Sequence, residues 1–332
     1  MIETLGADWY TSDIVHRAEH ESIWRTEWFM IATVDELSTH GSYVADTVAG
    51  WPIAVVRDPD GVLRAFLNVC PHRAGVIVWP GTGRAGNLVC RYHGWAFDWE
   101  GNLRSARDFG AVPCRESDSL TMIRVETWGP LVFVCLDSEA PSLADSSGDL
   151  GDRLGDFTFG DMRHAKRLER TLECNWKTYV DNYLEAYHVP LLHPMLGAAL
   201  DMSTYEVTIP HSSYCLHRSG TTENSVSAGL WVFRYPNLAI NVYPEAMNVE
   251  RIVPLSTTRT KIIYDYFAVD TSDESVASML EMSNVTLDED QRIAEAVQVN
   301  LASGAYRSGT LSPKHEQGLA WFQSRVRASV SE

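Results

Sequence analysis

The sequence predicts an α+β protein in two parts: a small antiparallel β domain over residues 28–138, and a larger domain over 158–332 whose antiparallel sheet is covered by helices. Three observations carry this. The length, 332 residues, exceeds one ordinary core and suits about two domains of ~100–200 residues. At about residue 28 helical spacing gives way to short β-branched runs cut by turn signals. Between the parts lies "DSEAPSLADSSGDLGDRLGDF", rich in Ser, Asp and Gly, so residues 139–157 are expected to be an exposed linker.

The elements follow in order. "SDIVHRAEHESIWRTEW" has helical spacing, with Ser12 or Asp13 as N-cap and an apolar stripe of Ile14, Val15, Ala18 and Ile23; residues 1–27 are grouped with the larger domain. Strands are expected in "GSYVADTVAG", "WPIAVVRDPDG", "VLRAFLNV", "GNLVCRYHGWAFDWEGNL" and "GPLVFVCLD", with hairpin turns at "DPDG" and "WEGN". "RHAKRLER" (163–170), the one dense basic run, reads as a solvated helix face. "ECNWKTYVDNYLEAYHV" (173–189) has helical spacing halted by Pro190. Strands are expected near 205–217, 229–243, 247–254 and 260–269. A capped helix should run over 288–304 to Gly304, and a last one from Ser312 with Pro313 at its first position. No repeat of fixed period appears.

Bulk properties exclude several function classes. Hydrophobic residues make up 45% and charged residues 21%, which excludes a disordered chain. The net charge of −17 repels phosphate backbones and anionic membranes, so neither nucleic acid nor a membrane is an expected partner. "MIETLGADWYTSD" lacks the apolar segment of a secretory signal. "PLVFVCL" falls far short of the ~20 residues a membrane span needs. A cytoplasmic location is therefore expected. Six cysteines there should stay reduced, which favours metal binding over disulfides for any patterned pair.

One such pattern stands out. Cys70-Pro71-His72, seventeen residues, then Cys90-Arg91-Tyr92-His93 offers two thiolates and two imidazoles. A structural zinc site also takes two of each. Zinc fingers, however, pair Cys with Cys and His with His along the chain, whereas each loop here supplies one of each. That suits a 2Fe–2S cluster with one iron on Cys70 and Cys90 and the other on His72 and His93. Replacing two thiolates by neutral imidazoles removes two negative charges, so an electron is accepted more easily. Cys114, Cys135, Cys174 and Cys215 lack paired spacing and read as buried small residues.

A second pattern lies in "NWKTYVDNYLEAYHVPLLHP": Glu185, His188 and His193 form E-x-x-H-x4-H. On a helix Glu185 and His188 share a face, and the break at Pro190 lets His193 turn back. Two histidines and a carboxylate make the facial triad of a non-haem Fe(II) oxygenase. The carboxylate is Glu185 or a residue elsewhere.

Both patterns, with "NVCPHRAG" and "CRYHGWAFDWEGNL", resemble the α subunits of Rieske non-haem iron oxygenases over about residues 20 to 330. The resemblance implies that "EDQRIAEAVQVNLASGAYRSGTLSP" supplies the third ligand at a helix start, Asp290, with Asp288 and Glu289 close in register. It implies a head-to-tail homotrimer in which Glu185 bridges one subunit's cluster histidine, His93, to its neighbour's His188. Asn182 and Tyr183 would line or support the iron. It also implies an NAD(P)H-dependent reductase or ferredoxin as electron donor, O₂ as co-substrate, and a small organic substrate.

The spacing E-A-Y-H resembles enzymes acting on carnitine, glycine betaine and related quaternary ammonium compounds. In "LWVFRYPNLAINVYP" (230–244) the residues Trp231, Phe233 and Tyr235 alternate onto one side of a strand. They would cage a quaternary ammonium, flank a planar ring in an aromatic ring-hydroxylating dioxygenase, or fill core. A Rieske electron carrier without oxygenase activity is the remoter reading, disfavoured by the second ligand set.

Overall fold

Alternating β-branched and aromatic residues build two separate antiparallel sheets. The computed structural model describes residues 2–111, 116–154, 160–220, 229–243 and 245–331. They fall into two units, Trp24–Ala144, and Met1–Ile23 with Asp145–Glu332.

In the first unit seven strands run in the spatial order Phe29–Thr33, Leu131–Cys135, Met122–Trp128, Leu63–Leu67, Trp51–Arg57, Ser42–Val48 and Gly81–Arg84. The turn at "DPDG" forms because the Asp58 carboxylate accepts from the backbone N–H groups of Asp60 and Val62, at 3.0 and 2.8 Å. Asp98 accepts likewise from Asn102 at 2.7 Å, closing "WEGN". Gly101 sits there at φ +85°, where a Cβ would also meet Phe66 at 2.9 Å. A second sheet of three short strands, Leu88–Val89, Ala96–Phe97 and Leu103–Ser105, packs into a core of Tyr43, Val56, Phe66, Ile77, Leu88 and Trp95. Cys70 and Cys90 belong to that core.

In the second unit seven antiparallel strands meander in the order Arg163–Leu172, Arg259–Ala268, Ala246–Ser256, Leu238–Val242, Gly229–Arg234, Tyr214–Ser219 and Glu206–His211. Strand Ala246–Ser256 is buried over most of its length, so both faces are covered. The helix Trp176–Tyr183 touches this strand and the long helix Asp273–Ala302. Its start is fixed by a charge pair. Lys177, fully buried, donates to Glu19 at 2.5 Å, and the Trp176 indole donates to the same carboxylate at 2.9 Å.

Several expectations need correction. Ser12 does cap the helix Asp13–Thr26, its hydroxyl accepting from Ile14 N–H at 3.2 Å. Ile23 is buried as expected, but Ile14 is 80% exposed, and Glu19 shares the buried face in its place. The basic run is not helical. It forms an edge strand, where the Arg167 guanidinium forks onto the buried Asp265 carboxylate at 2.8 and 2.9 Å. Residues 139–157 are not a plain exposed linker: short helices Leu143–Ser147 and Leu150–Leu154 bury Leu143, Leu150 and Leu154, while 155–157 lie outside the described residues.

Pro190 does not halt a helix. The helix ends at Tyr183, and Pro190 sits in the first turn of the next, Val189–Leu192, where a missing N–H costs nothing. The helix predicted from residue 288 begins fifteen residues earlier, capped by Ser272. Its spacing is masked by the mixed polarity of its N-terminal half, but Gly304 ends it at φ +76° as expected. The last helix starts at Gln317; Ser312 closes a turn before it, its hydroxyl accepting from Lys314 and His315.

Candidate functional site

Two loops of the first unit bring the Cys and His pairs together. Cys70 N–H donates to Gly75 O and Ala74 N–H to Cys70 O; Cys90 N–H donates to Trp95 O and Gly94 N–H to Cys90 O. The two turns are therefore near copies, joined by Arg91 N–H to Val76 O at 2.9 Å. Gly75 is required, since a Cβ there would come within 2.8 Å of the Cys90 sulfur. The His72 and His93 rings lie 4.8 Å apart, and His72 stacks on Trp95 at 4.7 Å.

The donor atoms fit a cluster. Both Nδ1 atoms are buried without a hydrogen-bond partner, a costly state for polar nitrogens unless a ligand takes them. Cys70 and Cys90 are 1% and 2% exposed. Burial pushes the Cys70 thiol up to about 11, and the neighbouring Cys90 adds to the rise. Two thiols so placed ionise readily only with cationic charge between them. Cys135, Cys174 and Cys215 are buried, as expected of packing residues, and Cys114 lies outside the described residues.

In the second unit one ligand atom each from His188, His193 and Asp290 converge, all within 4.8 Å of one another. His188 lies in the loop after Tyr183, not on a helix with Glu185. The Glu185 carboxylate organises that loop. It accepts from the backbone N–H groups of Tyr187 and His188 and from the His188 Nδ1, so the Nε2 is left to face the other two groups.

Asp290 sits deep within the long helix rather than at its start. The three acidic neighbours separate cleanly. Asp288 is 72% exposed and paired with Arg170. Glu289 accepts from His193 Nδ1 at 2.7 Å, and Asp290 lies 2.9 Å from His193 Nε2. Burial opposes a charge on His193, but the two carboxylates prevail and raise its pKa. A neutral ring holds one proton and faces two carboxylates; a cation between Nε2 and Asp290 resolves that conflict. Asn182 donates to the same Asp290 oxygen at 2.6 Å.

A cavity of about 430 Å³ opens beside these groups. Tyr183, Tyr205, Trp231, Tyr243 and Tyr266 supply its aromatic wall, and Glu185, Asn182 and Glu250 line it too. The Tyr183 hydroxyl is fixed by Asn241 at 2.8 Å. Phe233, expected beside Trp231, does not reach the cavity. Two residues further along the strand, it packs against Tyr183, Trp321 and Phe322. Tyr235 falls beyond the strand end and is buried.

Sequence reasoning missed Glu250 and the pair Tyr205 and His217, and weighed Glu289 only as a rival of Asp290 for the metal. Glu250 had left a signal, a charged residue inside the apolar run "AMNVERIVPL". Glu289 had none beyond adjacency to Asp290.

A small β unit with two mixed Cys–His loops, and a helix-covered sheet with a two-His, one-carboxylate centre beside a cavity, define a Rieske non-haem iron oxygenase. The chain belongs to that family. Residues 27–116 match the Rieske [2Fe-2S] domain, and 159–232 with 217–332 match the catalytic domain of the ring-hydroxylating α subunit. It carries a Rieske cluster and a mononuclear iron, and needs an electron-transfer partner, O₂ and a small-molecule substrate.

Within the family, the chain is 33% identical to the carnitine monooxygenase oxygenase subunit of Escherichia coli K12, over 92% of this chain and 86% of that one. It is 30% identical to the choline monooxygenase of Amaranthus tricolor, over 99% and 78%. A crystal structure of a quaternary ammonium Rieske monooxygenase superposes with a TM-score of 0.88 at 30% identity, covering 98% of this chain and 95% of that one. Naphthalene 1,2-dioxygenase has a TM-score of 0.81 at 18% identity over 99% and 92%, a likeness of fold alone. Among the described residues no helix is long and apolar enough to cross a membrane.

Proposed function

We propose that the chain is a quaternary ammonium monooxygenase that hydroxylates a small cationic substrate and, when the carbon attacked is an N-methyl, demethylates it. The observation that carries this is the aromatic wall beside the converging His188, His193 and Asp290. The faces of Tyr and Trp attract a fixed positive charge by roughly 0.5–2 kcal/mol each, more as water is excluded. The carnitine and choline monooxygenase relatives support the reading.

In this scheme Cys70, His72, Cys90 and His93 hold the 2Fe–2S cluster, and His188, His193 and Asp290 hold Fe(II). When bound, the cluster supplies electrons singly and the ferrous ion supplies O₂ activation. The chain's own residues supply position. Glu185 keeps the His188 Nδ1 protonated and its Nε2 turned inward; Glu289 does the same for His193. Asn182 steadies the Asp290 carboxylate. Tyr183 and Trp231 keep the substrate dry and close.

The electron donor is an NAD(P)H-dependent reductase or ferredoxin, and the assembly is a cytoplasmic homotrimer in which Glu185 stands between its own His188 and a neighbouring subunit's cluster. A planar aromatic substrate would meet the same walls, but that reading rests on fold likeness.

The test is anaerobic purification followed by metal and sulfide analysis, with about three irons and two sulfides per chain expected. O₂ uptake should rise with a quaternary ammonium compound such as choline and not with benzoate. Asp290→Ala should lose the mononuclear iron and keep the visible spectrum. Loss of the spectrum with that iron retained overturns the ligand assignment.

A further inference from the structure

Glu250 is the cavity carboxylate with no counterpart in the proposed iron site. Glu185, Glu289 and Asp290 each engage a histidine, whereas Glu250 touches none. It sits in the middle of strand Ala246–Ser256, 3% exposed, lining the cavity. One oxygen accepts from the Tyr179 hydroxyl at 2.5 Å and the other from the Asn241 amide at 2.7 Å. Both donors are neutral.

Among the described residues lining the cavity none is Lys or Arg. Arg251, next along the strand, faces the other side of the sheet by the pleat. Burial pushes the Glu250 carboxyl up to about 7 against the pull of its two hydrogen bonds, and the nearby Asp290 adds to the rise. The described wall thus joins π faces to a buried carboxylate that a neighbouring cation would hold ionised, with no Lys or Arg side chain to do so.

We propose that Glu250 is the counter-ion for the substrate's nitrogen, and that the cavity selects amines with a fixed positive charge and no carboxylate, of the amino-alcohol kind, over zwitterionic betaines. This rests on the quaternary ammonium reading above and sharpens it. A quaternary nitrogen donates no hydrogen bond, so a carboxylate already satisfied by Tyr179 and Asn241 serves it by charge alone, with Trp231, Tyr243 and Tyr266 around it. A betaine would bring its own carboxylate beside Glu250, among described lining residues that offer it no cationic side chain.

The test is calorimetric binding to the metal-replete protein under argon, using choline, glycine betaine, L-carnitine, benzoate and the uncharged choline isostere 3,3-dimethylbutan-1-ol. Choline should bind at least about tenfold tighter than either zwitterion and than the isostere. Glu250→Gln, which keeps shape and removes charge, should weaken choline about tenfold while moving the isostere less than about threefold. A merely structural Glu250 would weaken both alike, which overturns the proposal. Carnitine or betaine binding as tightly as choline in the unsubstituted protein also overturns it, a comparison that stands even if the variant misfolds. In that event the quaternary ammonium reading survives. If no ammonium compound binds and benzoate does, both fall together.

Discussion

Glu289 offers the sharpest test of how the iron site is held. Its carboxylate accepts from His193 Nδ1 at 2.7 Å, fixing the ring so that Nε2 faces Asp290. The expected perturbation is Glu289→Ala. A hydrogen bond to a charged group contributes about 1.5–3 kcal/mol. Glu289 is 32% exposed, so solvent screening places it at the low end, about 1.5 kcal/mol. That corresponds to about a tenfold loss of ferrous affinity, the lower edge of what carboxylates behind metal-bound histidines contribute. The assay is anaerobic competition with a ferrous chelator, with the visible spectrum as an internal check on the cluster. Glu289→Gln retains an acceptor oxygen and should recover most of the affinity. Asp288→Ala should change nothing, because that carboxylate is 72% exposed and turned to Arg170. If Glu289→Ala stays within about twofold while Asp288→Ala releases iron, the register argued here is wrong.

Other outcomes are expected together. Glu185→Gln should retain both metals yet slow single turnover after chemical reduction of the cluster by about 10- to 100-fold; near-normal turnover would leave Glu185 a loop-closing role only. Lys177→Met should cost about 3–5 kcal/mol in urea unfolding, because Glu19 is left buried and unpaired. The double variant with Glu19→Gln should regain most of it, and a single-variant loss under about 1 kcal/mol would refute this. Asp181 is buried, accepts from Tyr10 at 2.5 Å and from Gln323 at 3.1 Å, and burial pushes it up to about 7 from 3.8. Its folded pKa exceeds the unfolded one, so the folded state holds a proton that the unfolded state releases, and stability falls as pH rises between those values. Asp181→Asn should flatten that part of the urea-midpoint profile. Asp58 and Asp265, held low, act oppositely in both proteins and cancel in the comparison; parallel profiles would refute the assignment.

How much of this was legible follows from the range of each signal. The β texture of 42–67 and 206–268 and the turns at "DPDG" and "WEGN" were readable because pleat alternation and Asx turns are local. The runs expected at 205–217 and 229–243, however, each divide at a turn into two strands, Glu206–His211 and Tyr214–Ser219, and Gly229–Arg234 and Leu238–Val242. Helix ends were read less well. "ECNWKTYVDNYLEAYHV" has helical spacing throughout, but the chain leaves the helix at Tyr183 because Glu185 gives the loop backbone better partners. The basic run misled because an edge strand open to solvent on one side has the polarity of a solvated helix.

The sequence by itself supplied the proposed ligands. Residue identity and spacing are covalent facts, so Cys70, His72, Cys90, His93, His188 and His193 could be nominated before any fold was known. Tertiary structure alone decided which of three adjacent acids faces His193 Nε2, that Trp231 lines the cavity while Phe233 does not, and that Glu250 ends in its wall. Those outcomes depend on groups roughly fifty to a hundred residues apart meeting in space. Local pattern cannot encode such meetings, because they are fixed by how a whole sheet and its helices pack.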